Sequence, residues 1–197
     1  MNIRFYEEKD ERGWLRCRLL SLLDTAYFDH VLREKEIYEN PSVELIAEKD
    51  GQIIGLIDIE IEQKEGTVCT QGAGCGGMIW HMAVHPDFRR LGVGRSLLDA
   101  AEKYCRGREN KVSYLEAWTR DDDWVNKWYA RTGFTKVDSY MHVFLEGRDE
   151  LSTVFTGVEP DFQPIQGFAH FTGDRTDSRL QACKRVHECM CYVKTLR

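Results

Sequence analysis

The stretch from Met78 to Arg95 constrains the fold more than any other part of the chain. Met78-Ile79-Trp80-His81-Met82-Ala83-Val84 is apolar without clean alternation, the pattern of a strand covered on both faces. His85-Pro86-Asp87-Phe88 turns the chain. Arg89-Arg90-Leu91-Gly92-Val93-Gly94-Arg95 then leads into a helix predicted over 92–106, with Val93, Leu97, Leu98, Ala101, Tyr104 and Cys105 on one side. Such a turn suits an anion. The first helical turn has N–H groups without partners inside the helix, and the dipole is positive there. Gly92 and Gly94 have no side chain to keep a phosphate from that backbone. Arg89, Arg90 and Arg95 against Asp87 make the turn basic in a chain of net charge −6. The spacing differs from the dinucleotide GxGxxG and from the phosphate loop that ends in Lys-Ser/Thr.

The flanking sequence supplies a sheet and further helices. Ile3 to Tyr6 is a short predicted strand, and Asp10 is a candidate cap for a helix with Leu15, Leu19, Leu22 and Leu23 on its apolar face. Residues 31–39 are predicted as a second, exposed helix, broken by Asn40-Pro41-Ser42. Val43 to Glu48 and Ile53 to Glu62 are predicted strands joined by the Asp50-Gly51 hairpin turn. In the second, Ile57, Ile59 and Ile61 alternate with Asp58, Glu60 and Glu62, one face apolar and one acidic. A glycine-rich loop covers 63–77, and Val112 to Thr119 is a strand. Asp121, Asp122 and Asp123 stand before a helix over 123–131, which Gly133 ends. Phe134 to Val137 and Tyr140 to Leu145 read as two closing strands. Beyond Gly147 the texture changes, with a strand at Phe168 to Phe171 and a helix at Leu180 to Tyr192.

With 197 residues, one domain is expected over 1–146, and 147–197 form a C-terminal extension packed on it or at a homodimer interface. The excess of 33 Asp+Glu over 27 Lys+Arg, without a basic run, argues against a nucleic-acid or anionic-membrane partner. No segment has the ~18 consecutive apolar residues of a membrane helix. Charged residues from Glu7 to Arg12 leave no secretory signal, and seven scattered Cys read as reduced thiols, so a cytoplasmic location is expected. Cys183-x3-His187-x-Cys189-x-Cys191 matches no common zinc spacing, so no metal is expected.

Val84-His85-Pro86-x-x-Arg89-x-x-Gly92-x-Gly94 resembles motif A of the GNAT N-acetyltransferase superfamily, the acyl-CoA signature Arg/Gln-x-x-Gly-x-Gly/Ala. Tyr129-x-x-x-Gly133-Phe134 is similar to that family's helix-end pattern, and the element order across 1–146 also fits. The resemblance implies an α+β, three-layer acyl-CoA N-acyltransferase fold. Its sheet is mixed, mostly antiparallel, flanked by helices, and splayed at the strands around 78–84 and 112–119. It also implies acetyl-CoA as cosubstrate, with Met82, Ala83 and Val84 beside the pantetheine arm and Asn126 bonded to it. Arg89, Arg90, Leu91, Gly92, Val93, Gly94, Arg95 and Ser96 would surround the pyrophosphate. Tyr129 takes the role of the acid that protonates the departing thiolate. Many members carry a carboxylate or His where this chain has Met78. Its replacement as base is open. His81 has the chemistry but lies one residue out of phase unless a bulge re-aims it, and Glu116, Asp58 or Glu60 could act through water.

The resulting expectation is transfer of an acetyl group to a primary amine of a small molecule. Alternatives are a protein or peptide acceptor, or a non-catalytic acyl-CoA sensor. Tyr27, Phe28, Tyr38, Trp80, Trp118 and Trp124 are candidate acceptor walls, and Asp58, Glu60, Glu116 and Asp121 to Asp123 would give the pocket negative character.

Overall fold

The structure, a computed structural model, describes residues 1–107, 112–155, 161 and 164–196. The strands are β1 (Asn2–Phe5), β2 (Ser42–Lys49), β3 (Gln52–Ile61), β4 (Gly76–Val84), β5 (Tyr114–Thr119), β6 (Thr135–Glu146), β7 (Gln166–Phe171) and β8 (Arg185–Thr195). The helices are α1 (Glu11–Leu22), α2 (Val93–Gly107), α3 (Asp123–Arg131), α4 (Gly147–Ser152) and α5 (Ser178–Ala182). The strands form one sheet in the order β1-β2-β3-β4-β5-β8-β6-β7. Only β4 and β5 run parallel.

Two faces of this sheet are covered for different reasons. α2 lays Val93, Leu97, Leu98 and Ala101 on Ile57, Ile59, Leu115 and Ala117. Gly55 permits that contact, because a Cβ there would stand 2.8 Å from Val93 Cγ1 and 2.9 Å from Leu97 Cδ1. On the other face, α1 packs Trp14 and Cys17 against Ile46, Leu56 and Ala83. The β2–β3 hairpin turns through two left-handed residues, Asp50 (φ 52°) and Gly51 (φ 76°), as the Asp-Gly pair predicts.

Several expectations need correction. α1 buries Trp14, Cys17, Arg18 and Ser21, whereas Leu19 and Leu23 are exposed. The sheet face beneath α1 carries polar groups, and Arg18 reaches one of them, His81. Tertiary bonding thus overrides the leucine periodicity. Asp10 does not cap α1 with its side chain; its carboxylate accepts from the Arg4 guanidinium at 2.6 and 2.8 Å and from Glu7 N–H. Residues 31–39 form an irregular strap, not a helix. Lys35, Glu36 and Tyr38 bond across to Asp58 and His81 rather than to helical neighbours. The two closing strands are one, β6, with a register shift between Lys136 and Asp138.

The helix expected over Leu180 to Tyr192 is largely strand. α5 ends at Ala182, and β8 runs between β5 and β6. Cys189, Met190, Cys191 and Tyr192 are all buried there. A strand covered on both faces loses the alternation that would distinguish it from a helix. The chain beyond Glu146 therefore contributes an interior strand of the main sheet.

The sheet opens where the two parallel strands meet. β4 pairs with β5 only from Gly76–Tyr114 to Ile79–Ala117. Past that point β5 stays with β8 as far as Thr119–Met190, and β4 stays with β3 as far as Val84–Gly55. Among the described residues, Trp80 to Val84 keep a backbone edge without a strand partner on the β5 side. Opposite, Asp58 pairs with His81 and Ile59 with Ile79, so Trp80 is the extra residue of a bulge.

Candidate active site

The open edge of β4 lies beside the start of α2. The turn before α2 contains two left-handed residues, Arg90 (φ 64°) and Gly92 (φ 81°). Arginine takes that conformation at a cost, which the turn sustains. The first helical N–H satisfied inside α2 is that of Ser96, which donates to Gly92 O at 3.0 Å. Val93, Gly94 and Arg95 thus precede it at the helix N-terminus, with amides that find no partner among the described residues. A Cβ on Gly94 would lie 3.2 Å from Met82 Cε and 3.6 Å from Trp128 Cζ2, so α2, β4 and α3 converge at this glycine.

The three arginines of the turn differ. Arg89 bends inward: it donates to Ser21 O at 2.9 Å and to Asp24 at 3.2 Å, and stacks on Trp124 at 4.9 Å. It fastens the end of α1 to the turn and to α3. Arg95 pairs with Asp99 at 2.8 Å, whereas Arg90 and Leu91 stand exposed. The basic character expected of this turn is therefore partly neutralised by Asp24 and Asp99.

Asn126, in α3, supplies an unsatisfied group. Its Nδ2 donates to Arg120 O at 2.8 Å and Asp122 O at 2.9 Å, which fixes the amide's orientation. Its Oδ1 is then buried without a partner among the described residues. An orphaned acceptor of this kind costs about 1–3 kcal/mol until a donor arrives. An amide N–H of a pantetheine arm is such a donor, so the residues present fit acetyl-CoA.

Tyr129 sits in the last turn of α3, 5% exposed. Its ring lies flat on Tyr192 of β8, at 5.2 Å and 14°, with Phe134 and Trp128 edge-on at 5.1 Å. Burial pushes its phenol well above the ordinary tyrosine value. The hydroxyl is thereby held in its protonated form.

The α1 side of the splay holds the base candidates, each already engaged. His81 Nδ1 accepts from Arg18 Nε at 3.2 Å, and Nε2 lies 2.6 Å from Glu36 Oε2. A guanidinium can only donate, so Nδ1 is the accepting nitrogen of His81, and Nε2–H donates a hydrogen bond to Glu36. That hydrogen bond holds the Glu36 carboxyl below its ordinary range. Asp58 accepts from Lys35 at 2.9 Å, Tyr38 at 3.1 Å and Trp14 at 3.4 Å. Glu60 accepts from Asn40 Nδ2 at 2.8 Å and Trp80 Nε1 at 2.7 Å. Glu116 is 0% exposed and holds the loop beside it, accepting from Thr70 N–H and Gln71 N–H at 2.9 Å and from Thr70 Oγ1 and Trp118 Nε1 at 2.8 Å.

The bulge does bring His81 to the α1 face together with Asp58. However, it arrives with both ring nitrogens occupied. The acids expected to charge the pocket are likewise taken: Asp121 meets His187 at 2.8 Å, Asp122 accepts from Ala26 N–H at 3.0 Å, and Asp123 pairs with Lys127 at 2.5 Å. Of the aromatics, Trp80 is 48% exposed, Trp118 packs on Tyr140, Tyr27 stacks on Arg120 and Phe28 on Arg185. Among the described residues, no three His, Cys, Asp or Glu side chains are grouped to hold a metal ion.

Arg18, Lys35 and Glu36 shape this site without having been legible in the sequence. Arg18 lies on a helix whose leucines suggest another buried face, and Lys35 and Glu36 lie in a mixed-charge run typical of a solvated helix.

Residues 6–134 match the family model described as Acetyltransferase (GNAT) family. An acetyltransferase of Pectobacterium atrosepticum is 28% identical over 142 residues, 70% of this chain and 90% of its own. The ribosomal-protein-alanine N-acetyltransferase of Brucella melitensis superposes with a TM-score of 0.59 at 16% identity, covering 100% of both chains. The PaiA N-acetyltransferase of Thermoplasma acidophilum, solved with coenzyme A, superposes with a TM-score of 0.53 at 16% identity, covering 70% of this chain and 91% of its own. At these identities the solved structures speak to the fold alone.

Proposed function

Because the chain belongs to the GNAT acetyltransferase family, we propose that it moves the acetyl group of acetyl-CoA directly to a primary amine of a small molecule. The observation that carries this reading is the meeting, at one opening of the sheet, of the free β4 edge from Trp80 to Val84 with the glycine-bearing start of α2, where α3 also packs through Trp128. The orphaned Oδ1 of Asn126, in the same α3, supports it. The coenzyme A bound to a fold neighbour supports the same cosubstrate.

Acetyl-CoA supplies the activated acyl carbon and the thiolate that leaves. The chain's residues do the rest. The backbone at Met82, Ala83 and Val84 pairs with the pantetheine arm and points an N–H at the acyl oxygen. The unpaired amides of Val93, Gly94 and Arg95 receive the pyrophosphate, and the left-handed Arg90 and Gly92 shape the turn for it. Asn126 Oδ1 accepts from the arm. Tyr129 donates its phenolic proton to the leaving sulfur, and Tyr192 holds that ring flat. Asp58, Glu60, Glu116 and His81 are committed to other donors, so the acceptor amine loses its proton to solvent rather than to one of them.

A small acceptor is favoured because the irregular segment 23–41, which includes the strap, crosses the α1 face, held by Glu36–His81 and Tyr38–Asp58 there and by Ala26–Asp122 at the start of α3. A peptide would need an open groove there. The likeness to a ribosomal-protein acetyltransferase keeps peptides among the acceptors to assay. The test is incubation with acetyl-CoA and a panel of polyamines, aminoglycosides, amino acids and short peptides, with products identified by mass. An acetylated small amine is expected. Acetylation of peptides alone would overturn the acceptor class.

A further inference from the structure

Among the buried cations that the proposed mechanism leaves unused is Lys35. Lys35 projects from the irregular strap into the α1 side, with its side chain 5% exposed. Its ammonium lies 2.6 Å from Glu44 and 2.9 Å from Asp58. Three rings surround it: Tyr6 and Tyr38 at 5.0 Å and Trp14 at 5.3 Å. Burial pulls the ammonium down, but Asp58 and Glu44 outweigh it and hold Lys35 above its ordinary value, so the group is a cation. Aromatic walls with carboxylates at the base are the chemistry of an ammonium receptor.

The origin of the parts matters. Trp14 belongs to α1, Glu44 to β2 and Asp58 to β3, elements fixed by the core, and Tyr6 follows β1. The cation comes from a segment without regular structure, as does Tyr38. Most of the receptor thus stands independently of the group that fills it. It also borders the splay: Asp58 pairs with His81, one residue before Met82 on the free edge.

We propose that this cage recognises an ammonium group of the acceptor, and that Lys35 is its internal stand-in. The inference rests on the proposed function and narrows its acceptor to an amine with at least two cationic groups. One amine reacts at the splay while the other displaces Lys35 and releases the strap.

The cage can be tested without turnover. Lys35→Ala opens it, and Lys35→Met keeps it filled but uncharged. n-Propylammonium is titrated into both variants and the wild type, with n-propanol as neutral control, read by tryptophan fluorescence because Trp14 is a wall. Lys35→Ala is expected to bind n-propylammonium about tenfold more tightly than either other protein, and more tightly than n-propanol. Equal response to the cation and the alcohol would overturn the proposal. A second measurement uses the wild type and 1,4-diaminobutane, following backbone amide exchange. Lys35 N–H donates to Glu11 and Asn40 N–H to Glu60, so strap release should speed exchange across residues 30–40. No change at saturating diamine would overturn displacement, even if Lys35→Ala does not fold. Ammonium binding without acetylation of any amine would leave the cage standing and refute the proposed function instead.

Discussion

Replacing Tyr192 with leucine removes the ring that lies on Tyr129 but keeps an apolar side chain in β8. Tyr192 is 6% exposed and its ring is 5.2 Å from that of Tyr129 at an interplanar angle of 14°. A stacked pair contributes about 0.5–1.5 kcal/mol beyond its burial. The smaller leucine forfeits roughly another 1 kcal/mol of buried area. The expected loss is therefore about 1.5–2.5 kcal/mol, against roughly 5–15 kcal/mol for a domain, so the variant folds. Tyr192→Phe keeps the ring and should lose less than about 1 kcal/mol. Urea denaturation of Tyr192→Leu, Tyr129→Leu and the double variant isolates the pair, with a coupling of about 0.5–1.5 kcal/mol. In turnover, Tyr192→Leu should lower kcat by loosening the acid, while KM for acetyl-CoA holds. Additive stabilities, or Tyr192→Phe as damaging as Tyr192→Leu, would refute the claim that β8 sets the orientation of Tyr129.

Two further outcomes follow from single positions. Gly92→Ala forces alanine to φ 81°, at about 1–2 kcal/mol, and should weaken acetyl-CoA binding by roughly 5–30-fold in calorimetry. Gly51→Ala, at φ 76° in the distant hairpin, should cost similar stability and leave that affinity unchanged. Burial, with help from the Arg120 charge, pushes His142 from 6.5 down to about 4. Its folded value is the lower one, so its stabilising contribution is complete above pH 6.5 and lost as pH falls towards 4. After solvent screening this is about 1–2 kcal/mol, and thermal melts of His142→Gln should lack that part of the acid-side loss.

Motif-bearing elements were the legible ones. The strand at 78–84, the glycine turn, α2 and α3 each announce themselves through local chemistry: an apolar run, a helix start without side chains, an amphipathic period. The splay between β4 and β5 followed from the resemblance that those motifs carry. β8 was not legible, because Cys189 to Tyr192 are buried consecutively and give no period. The acceptor side was misread for a related reason. Asp58, Glu60 and Glu116 look like a charged pocket wall in sequence, but their partners, Lys35, Asn40 and Thr70, come from irregular segments. Pairing across loops leaves no spacing to read. Arg18 shows the same limit, since its partner His81 lies 63 residues away.

The most direct test of the account is the rate of acetyl transfer from acetyl-CoA to the best amine of the panel, by mass, for the wild type and Tyr129→Phe. The account predicts an acetylated amine, and a kcat lower by roughly 10²-fold or more in the variant with KM for acetyl-CoA little changed. Equal kcat in both proteins would contradict the assignment of Tyr129 as the acid. Tight acetyl-CoA binding with no acetylated product from any amine would contradict transfer itself and favour an acyl-CoA sensor.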